Sequence, residues 1–394
     1  MSLRRDVGGL WAGGRVGVYK QQVQRPCRSG AGAVLLQKDE NPMRTRFRGF
    51  TIVELIVVVL IAVILIGICL PVRGRTTGCS RTVKDGTQVR SIHQSMITWA
   101  GQCQDNYPFP SQVDLNDTIP GTETNFGASS SKYGKDLPRF VLSLLMYNGS
   151  FGPEITVSPS EVNPAVGADN SFEFKNPSAV ILEKRSKAIL DPAFACYPDE
   201  MGGDATISIT GHFARKAGCS YAFVPFVGAR RSLWQSTFDA SQCIIGNRGP
   251  WYKLNSDGTW SLDPSDRRGK GNTPATQSNT LLIHGARSTW EGNVARNDNS
   301  VAFETRPDPT NLDIKYAAAV RKMGIPEYDN IFANEDEGGD GKSYTRDDDR
   351  ITPANFDKQK NNYLRCWGGD GKGSNLTIDP VTKQITSIID FWYD

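Results

Sequence analysis

The chain has 394 residues, with 45 basic and 42 acidic side chains and a formal net charge of +3. So small an excess is no nucleic-acid footprint, and about 280 residues lie beyond the N-terminal segments, enough to bury a substantial core. The three histidines, His93, His212 and His284, stand in no metal-binding spacing, and Gly-x-Ser-x-Gly, phosphate-loop and Cys-x-x-Cys patterns are missing, so no catalytic motif is offered.

Residues 1–42 carry Gly, Arg and Gln without sustained periodicity and do not read as a folded domain. Met43 opens the basic run Met43-Arg44-Thr45-Arg46-Phe47-Arg48-Gly49 and is the expected start of translation; the alternative is a disordered extension, which processing removes in either case. From Phe50 to Pro71 the chain is almost wholly apolar over 22 residues. At about 1.5 Å per residue this gives a helix of about 33 Å, against a hydrocarbon core of about 30 Å, and predicts a membrane span. Glu54 would lie inside it at a cost of roughly 2.5 to 3.5 kcal/mol unless it finds a partner. A secretory signal peptide does not fit, because the apolar run is too long and Leu70-Pro71-Val72-Arg73 offers no small-residue cleavage site. A lipoprotein signal does not fit either: Ile68 precedes Cys69, which reads as a buried apolar residue.

The basic leader ending in Gly49, the Phe50 that follows, Glu54 at the fifth place after the junction and the long apolar run together resemble the N-terminal signal of type IV pilins and type II secretion pseudopilins. The resemblance implies that a prepilin peptidase cuts between Gly49 and Phe50, that the new Phe50 amine is methylated, and that the subunit assembles with other pilin or pseudopilin subunits. It implies that Glu54 neutralises the Phe50 amine of a neighbour. It further implies a single-pass protein in contact with inner membrane lipid, its N-terminus cytoplasmic and its head periplasmic or in a filament. Cleavage removes residues 1–49, with 10 of the basic and 3 of the acidic side chains, leaving 35 and 39 and a net charge of −4. No nucleic acid partner is expected. The resemblance extends to about Ser111, through the segment from Lys84 to His93 and the run Asn106-Tyr107-Pro108-Phe109-Pro110-Ser111.

The organisation expected is thus a leader over 1–49, a transmembrane half of the first helix over 50–71, an amphipathic half over 72–101 and an α+β head over 102–394. A kink is expected at Pro71, then a loosened stretch through Gly74, Thr76, Thr77 and Gly78. Val89, Ile92, Met96 and Trp99 next form one apolar face to pack on the head, with His93 beside it as a surface or packing residue. Residues 136–147 read as a helix capped by Asp136, with Gly149 past its end, and residues 311–323 as another, stopped by Gly324. Strands are expected over 205–210, 220–227, 280–284, 301–305 and 386–392, giving the head an antiparallel sheet. Residues 290–303 read as a hairpin, similar to a late hairpin of large-headed pseudopilins but with Asn299-Ser300 at its turn, which favours a structural role.

Acidic, glycine-rich loops at 334–341 and 347–349 have the oxygen-rich character that suits calcium, with Asp336, Asp340 and Asp348 as candidate ligands, although their spacing is not that of an EF-hand and a solvated loop is the plainer reading. Cys79, Cys103, Cys196, Cys219, Cys243 and Cys366 are an even six outside leader and span, a count that suits an oxidising compartment. Cys79 and Cys103 on one continuous helix would be about 36 Å apart and could not pair. The function expected is a structural filament subunit rather than an enzyme. The alternatives are a tip adhesin that binds a ligand through its large head and, less favoured, an anchored ectodomain enzyme.

Overall fold

The computed structural model describes residues 49–69, 73–119, 135–201, 216–237, 239–262, 264–265, 273–285, 287–312, 328–333, 361–368 and 390–394. The chain divides into two compact units between Ile68 and Cys69.

The first described element, α1, runs Ile52–Cys69 and has 18 residues. Its start is set by Thr51, whose Oγ1 accepts from the Glu54 N–H at 3.3 Å while the Thr51 N–H donates back to Glu54 Oε2 at 3.4 Å. This reciprocal pair is a capping box, which satisfies two backbone donors that a helix start leaves unpaired. It also corrects the expectation of a membrane-spanning helix over 50–71. Phe50 and Thr51 lie outside the helix, and 18 residues at about 1.5 Å each reach only about 27 Å, short of a hydrocarbon core of about 30 Å. Among the described residues no helix is long and apolar enough to cross a membrane. The kink expected at Pro71 lies outside the described residues.

In the second unit, α2 spans Arg73–Ala100 and is helical through Gly74 and Gly78, where a loosened stretch was expected. Several of its hydroxyls bond back one turn, as from Thr87 to the Val83 carbonyl at 2.9 Å and from Ser91 to that of Thr87 at 2.8 Å, so these groups find partners within the helix. Val89, Ile92 and Met96 are fully buried, and Trp99 packs against the same core, as the 3.6-residue spacing predicts. Gly86 lets this helix approach the sheet: a Cβ there would come within 2.9 Å of the Asn293 side chain.

The sheet is antiparallel, formed by β1 (Tyr221–Phe223), β2 (Cys243–Asn247), β5 (Gly292–Arg296) and β6 (Val301–Glu304) in the order β1-β2-β5-β6. Every residue of β2 is buried, so this Cys-Ile-Ile run lies between two covered faces. A register shift between Cys243 and Ile245 marks a bulge against β5. The hairpin expected over 290–303 is β5 and β6, turned through Asn299 at φ 65°. Two small ladders complete the described strands: β3 (Lys253–Leu254) with β4 (Trp260–Ser261), and β7 (Trp367–Gly368) with β8 (Asp390–Phe391).

A short helical turn, α3, covers Pro110–Val113. The helix expected over 136–147 is α4 (Pro138–Tyr147), whose Phe140, Val141, Leu144 and Leu145 are all buried. It ends in a Schellman motif, with Gly149 at φ 77° donating to the Met146 carbonyl and Ser150 to that of Leu145. Asp136 is not its cap. That carboxylate instead accepts from the Ser111 N–H and hydroxyl, at 2.9 and 2.8 Å, and pairs with Arg231 at 2.7 Å. The strand expected over 280–284 is a 3-10 turn at Asn279–Leu282, because Ser278 accepts from the Thr280 N–H and holds the backbone in a cap. The strand over 205–210, residues 313–323 of the second expected helix and residues 386–389 of the last expected strand lie outside the described residues.

Candidate functional site

The residues expected to be processed sit in one short exposed segment. Gly49 and Phe50 have no helical backbone, Phe50 is 76% exposed, and no described residue would crowd a Cβ at Gly49 within 4 Å. Among the described residues, the Gly49–Phe50 peptide is exposed and lies two residues ahead of the first helical residue. Glu54, expected to serve assembly, closes the capping box at the first turn of α1. That local role was readable as Thr51-x-x-Glu54, a pattern hidden by the attention an apolar run draws to its lone charge. Beyond Glu54 the helix is apolar on every side, and its large side chains from Ile52 to Ile66 are 49 to 78% exposed. A helix apolar all round is built to be covered.

Two buried polar clusters stand in the second unit. On α2, Asp85 accepts from the Tyr221 hydroxyl at 3.1 Å and from the Asn293 amide at 2.8 Å, and lies 3.0 Å from His284 Nε2. The other imidazole nitrogen, Nδ1, is 3.4 Å from the Thr82 hydroxyl, completing a hydroxyl–imidazole–carboxylate order. Burial alone would push the Asp85 carboxyl up, but hydrogen bonds from His284, Ser158 and Asn293 outweigh it and hold the group below the ordinary aspartate range. The Asp85 and His284 side chains are 0 and 3% exposed, so the cluster ties α2 to β1 and β5 from within the packed chain.

The second cluster centres on His93, which is fully buried. The Asn297 amide donates to the Gln235 carbonyl, which turns its oxygen toward the Tyr107 hydroxyl. His93 Nε2 lies 3.0 Å from the Tyr107 hydroxyl oxygen, and Nδ1 lies 3.1 Å from Asn299 Oδ1. Burial lowers the His93 pKa from 6.5 to about 4, against smaller upward pulls from Asn299 and Asp298, so the ring is neutral at pH 7. Sequence placed His93 next to the apolar face; only the fold shows it pinning the β5–β6 turn to α2.

Asp336, Asp340 and Asp348 lie outside the described residues, and among the described residues no group of three His, Cys, Asp or Glu could hold a metal ion. Cys79, Cys103, Cys196, Cys219, Cys243 and Cys366 are all free thiols. Cys79 is exposed and Cys103 half-buried, whereas the other four are buried, and burial pushes the Cys243 and Cys366 thiols well up. Iodoacetamide on the native protein is expected to modify Cys79 and Cys103 and to spare the other four until denaturant is added. Peptide mass mapping reads the pattern, and native labelling of Cys243 would contradict the packing of β2.

No protein-family model, no curated protein and no solved structure matches this chain.

Proposed function

We propose that this chain is a prepilin-like filament subunit, cleaved between Gly49 and Phe50 by a prepilin peptidase and joined through α1 to other subunits of a type II secretion pseudopilus or a type IV pilus-like filament. The observation that carries the reading is α1 itself, apolar on every face and exposed from Ile52 to Ile66, with its single carboxylate in the first turn. A surface of that kind does not stay in water. Matching helices of neighbouring subunits cover it, and its length of about 27 Å suits a bundle of equal helices. The exposed, non-helical backbone at Gly49 and Phe50 supports processing there, since a peptidase reads an extended chain. Cleavage leaves Thr51 and the capping box intact and creates an amine at Phe50, beside the N-cap. In the assembled filament that amine pairs with Glu54 of the neighbouring subunit, so that neither charge is buried alone. The large head then faces the periplasm or the cell surface.

The capping box supplies a test that separates the two roles of Glu54. Glutamine at the same place completes a capping box as well as glutamate does but carries no charge. Glu54→Gln is therefore expected to abolish filament assembly while leaving α1 folded. Thr51→Ala is expected to weaken the helix start by about 1 kcal/mol and to leave assembly largely intact. Pelleting of sheared filaments reads assembly, and circular dichroism reads the helix. Normal assembly of the Glu54→Gln protein would remove the charge-pairing role. Intact mass and N-terminal sequencing of protein made alongside a prepilin peptidase are expected to give a chain beginning at a methylated Phe50; a chain that keeps Gly49 would overturn the processing step.

A further inference from the structure

A cleft of about 900 Å³ opens on the second unit, far in sequence from the processing segment, and its walls include Tyr252, Trp260, Tyr328, Arg287, Arg306 and Asp308. Its volume lies toward the upper end of the range for ligand pockets, about 300 to 1,000 Å³. The walls are built rather than incidental. The β3–β4 turn is fixed by Asp257, which accepts from the Thr259 N–H at 3.0 Å and hydroxyl at 2.7 Å, and by Gly258 at φ 85°. Trp290 is buried beneath, its indole N–H donating to the Arg248 carbonyl at 3.0 Å. Tyr252 is stacked at 18° on Phe332, which holds its ring in one plane.

The chemistry of the lining is mixed in a particular way. Trp260, Tyr252 and Tyr328 are half-buried rings, each an apolar face with a polar edge. Arg306 is held by Asp308 through two parallel bonds at 2.8 and 2.7 Å and lies 5.9 Å from the Tyr328 ring centre. This pair is neutral as a unit and presents a planar array of donors and acceptors to the cleft. Arg287 stands at φ 68°, a left-handed conformation that few side chains other than glycine adopt, and its exposed guanidinium has no hydrogen bond or ion pair with any described residue. With Asp257, the described residues of the lining carry two cations and two anions, unlike the basic groove that follows a nucleic acid strand.

We infer that this cleft binds a neutral oligosaccharide. A sugar ring has an apolar C–H face, which an indole or phenol ring covers, and a rim of hydroxyl groups, which guanidinium and carboxylate groups take in pairs. Arg287 supplies donors to the hydroxyls at the edge of the cleft, and Trp260 is the principal platform.

The test is calorimetric titration of the full chain in a polyoxyethylene detergent, since sugar-headed detergents would compete. Cellotriose, maltotriose and triacetylchitotriose are the probes, with trigalacturonate and a hexameric oligodeoxynucleotide as charged comparisons. At least one neutral trisaccharide is expected to bind saturably. Trp260→Ala and Arg287→Ala are each expected to weaken that binding about ten-fold, while Trp260→Phe, which keeps a ring, retains most of it. An unchanged circular dichroism spectrum shows that the variants are folded. Binding of none of the three neutral probes, equal or tighter binding of either charged one, or binding that Trp260→Ala leaves unchanged overturns the proposal. None of these outcomes bears on cleavage at Gly49 or on assembly through α1.

Discussion

Arg248→Met is expected to lower folding stability by about 3 to 5 kcal/mol, the largest loss any single substitution described for this chain should produce. The Arg248 side chain is 2% exposed and stands between two buried carboxylates, Glu161 and Asp394, 6 and 5% exposed. One guanidinium nitrogen donates to Glu161 Oε1 at 2.7 Å and to Asp394 Oδ2 at 2.6 Å, a second donates to Glu161 Oε2, and the guanidinium lies 5.1 Å from the Trp392 ring centre. Burial alone would push the Glu161 carboxyl up. The Arg248 charge and its hydrogen bonds, with further bonds from Ser220 and Asn163, outweigh that and hold the group below the ordinary glutamate range. Taking the cation away leaves two carboxylates in a dry site, which is why the loss exceeds the net worth of the pair. The urea midpoint followed by tryptophan fluorescence measures it. Adding Glu161→Gln to Arg248→Met should recover part of the stability, because it removes one of the stranded charges; a double variant less stable than the single one would contradict this account.

The second large effect is acid sensitivity at His93. Its pKa is about 4 in the folded chain and 6.5 when exposed, so between those values the unfolded chain binds a proton that the folded chain does not. Stability from this group is thus fully present above about pH 6.5 and is lost as pH falls toward 4. The shift is worth about 3 kcal/mol. Carboxylates such as Glu161 and Asp85, whose folded values are lowered, lose their own contributions only at lower pH, as it falls through the ordinary carboxylate range. Unfolding free energies at pH 7 and pH 4 should therefore fall less in His93→Gln than in the unaltered chain, by about 3 kcal/mol. Equal losses in the two proteins would mean that His93 is solvated or charged in the fold.

The legible parts of the sequence were those governed by neighbours along the chain. The Val89, Ile92, Met96 and Trp99 stripe follows from 3.6 residues per turn, and it packs as read. Gly149 ends α4 and Asn299 turns the β5–β6 hairpin because both occupy left-handed backbone, which those residues tolerate. Local patterns also misled. Residues 280–284 have strand composition, but Ser278 caps a 3-10 turn there, and Asp136, in the right place for a cap, spends its carboxylate on Ser111 and Arg231.

By itself, then, the sequence determined an α+β chain, an apolar helix with Glu54 in its first turn, and the Gly49-Phe50 junction on which the filament proposal rests. The tertiary structure decided where α1 begins, at Ile52 behind the Thr51 cap, and among the described residues it holds no helix long and apolar enough to cross a membrane. It also joined Arg248 to Glu161 and Asp394, which are 87 and 146 residues away, His93 to Asn299, 206 residues away, and drew five separate stretches of chain into one aromatic cleft. The physical reason is one of range. Periodicity, caps and turns are fixed by backbone geometry over a few residues, whereas burying a charge requires partners that only the packed chain brings within hydrogen-bonding distance.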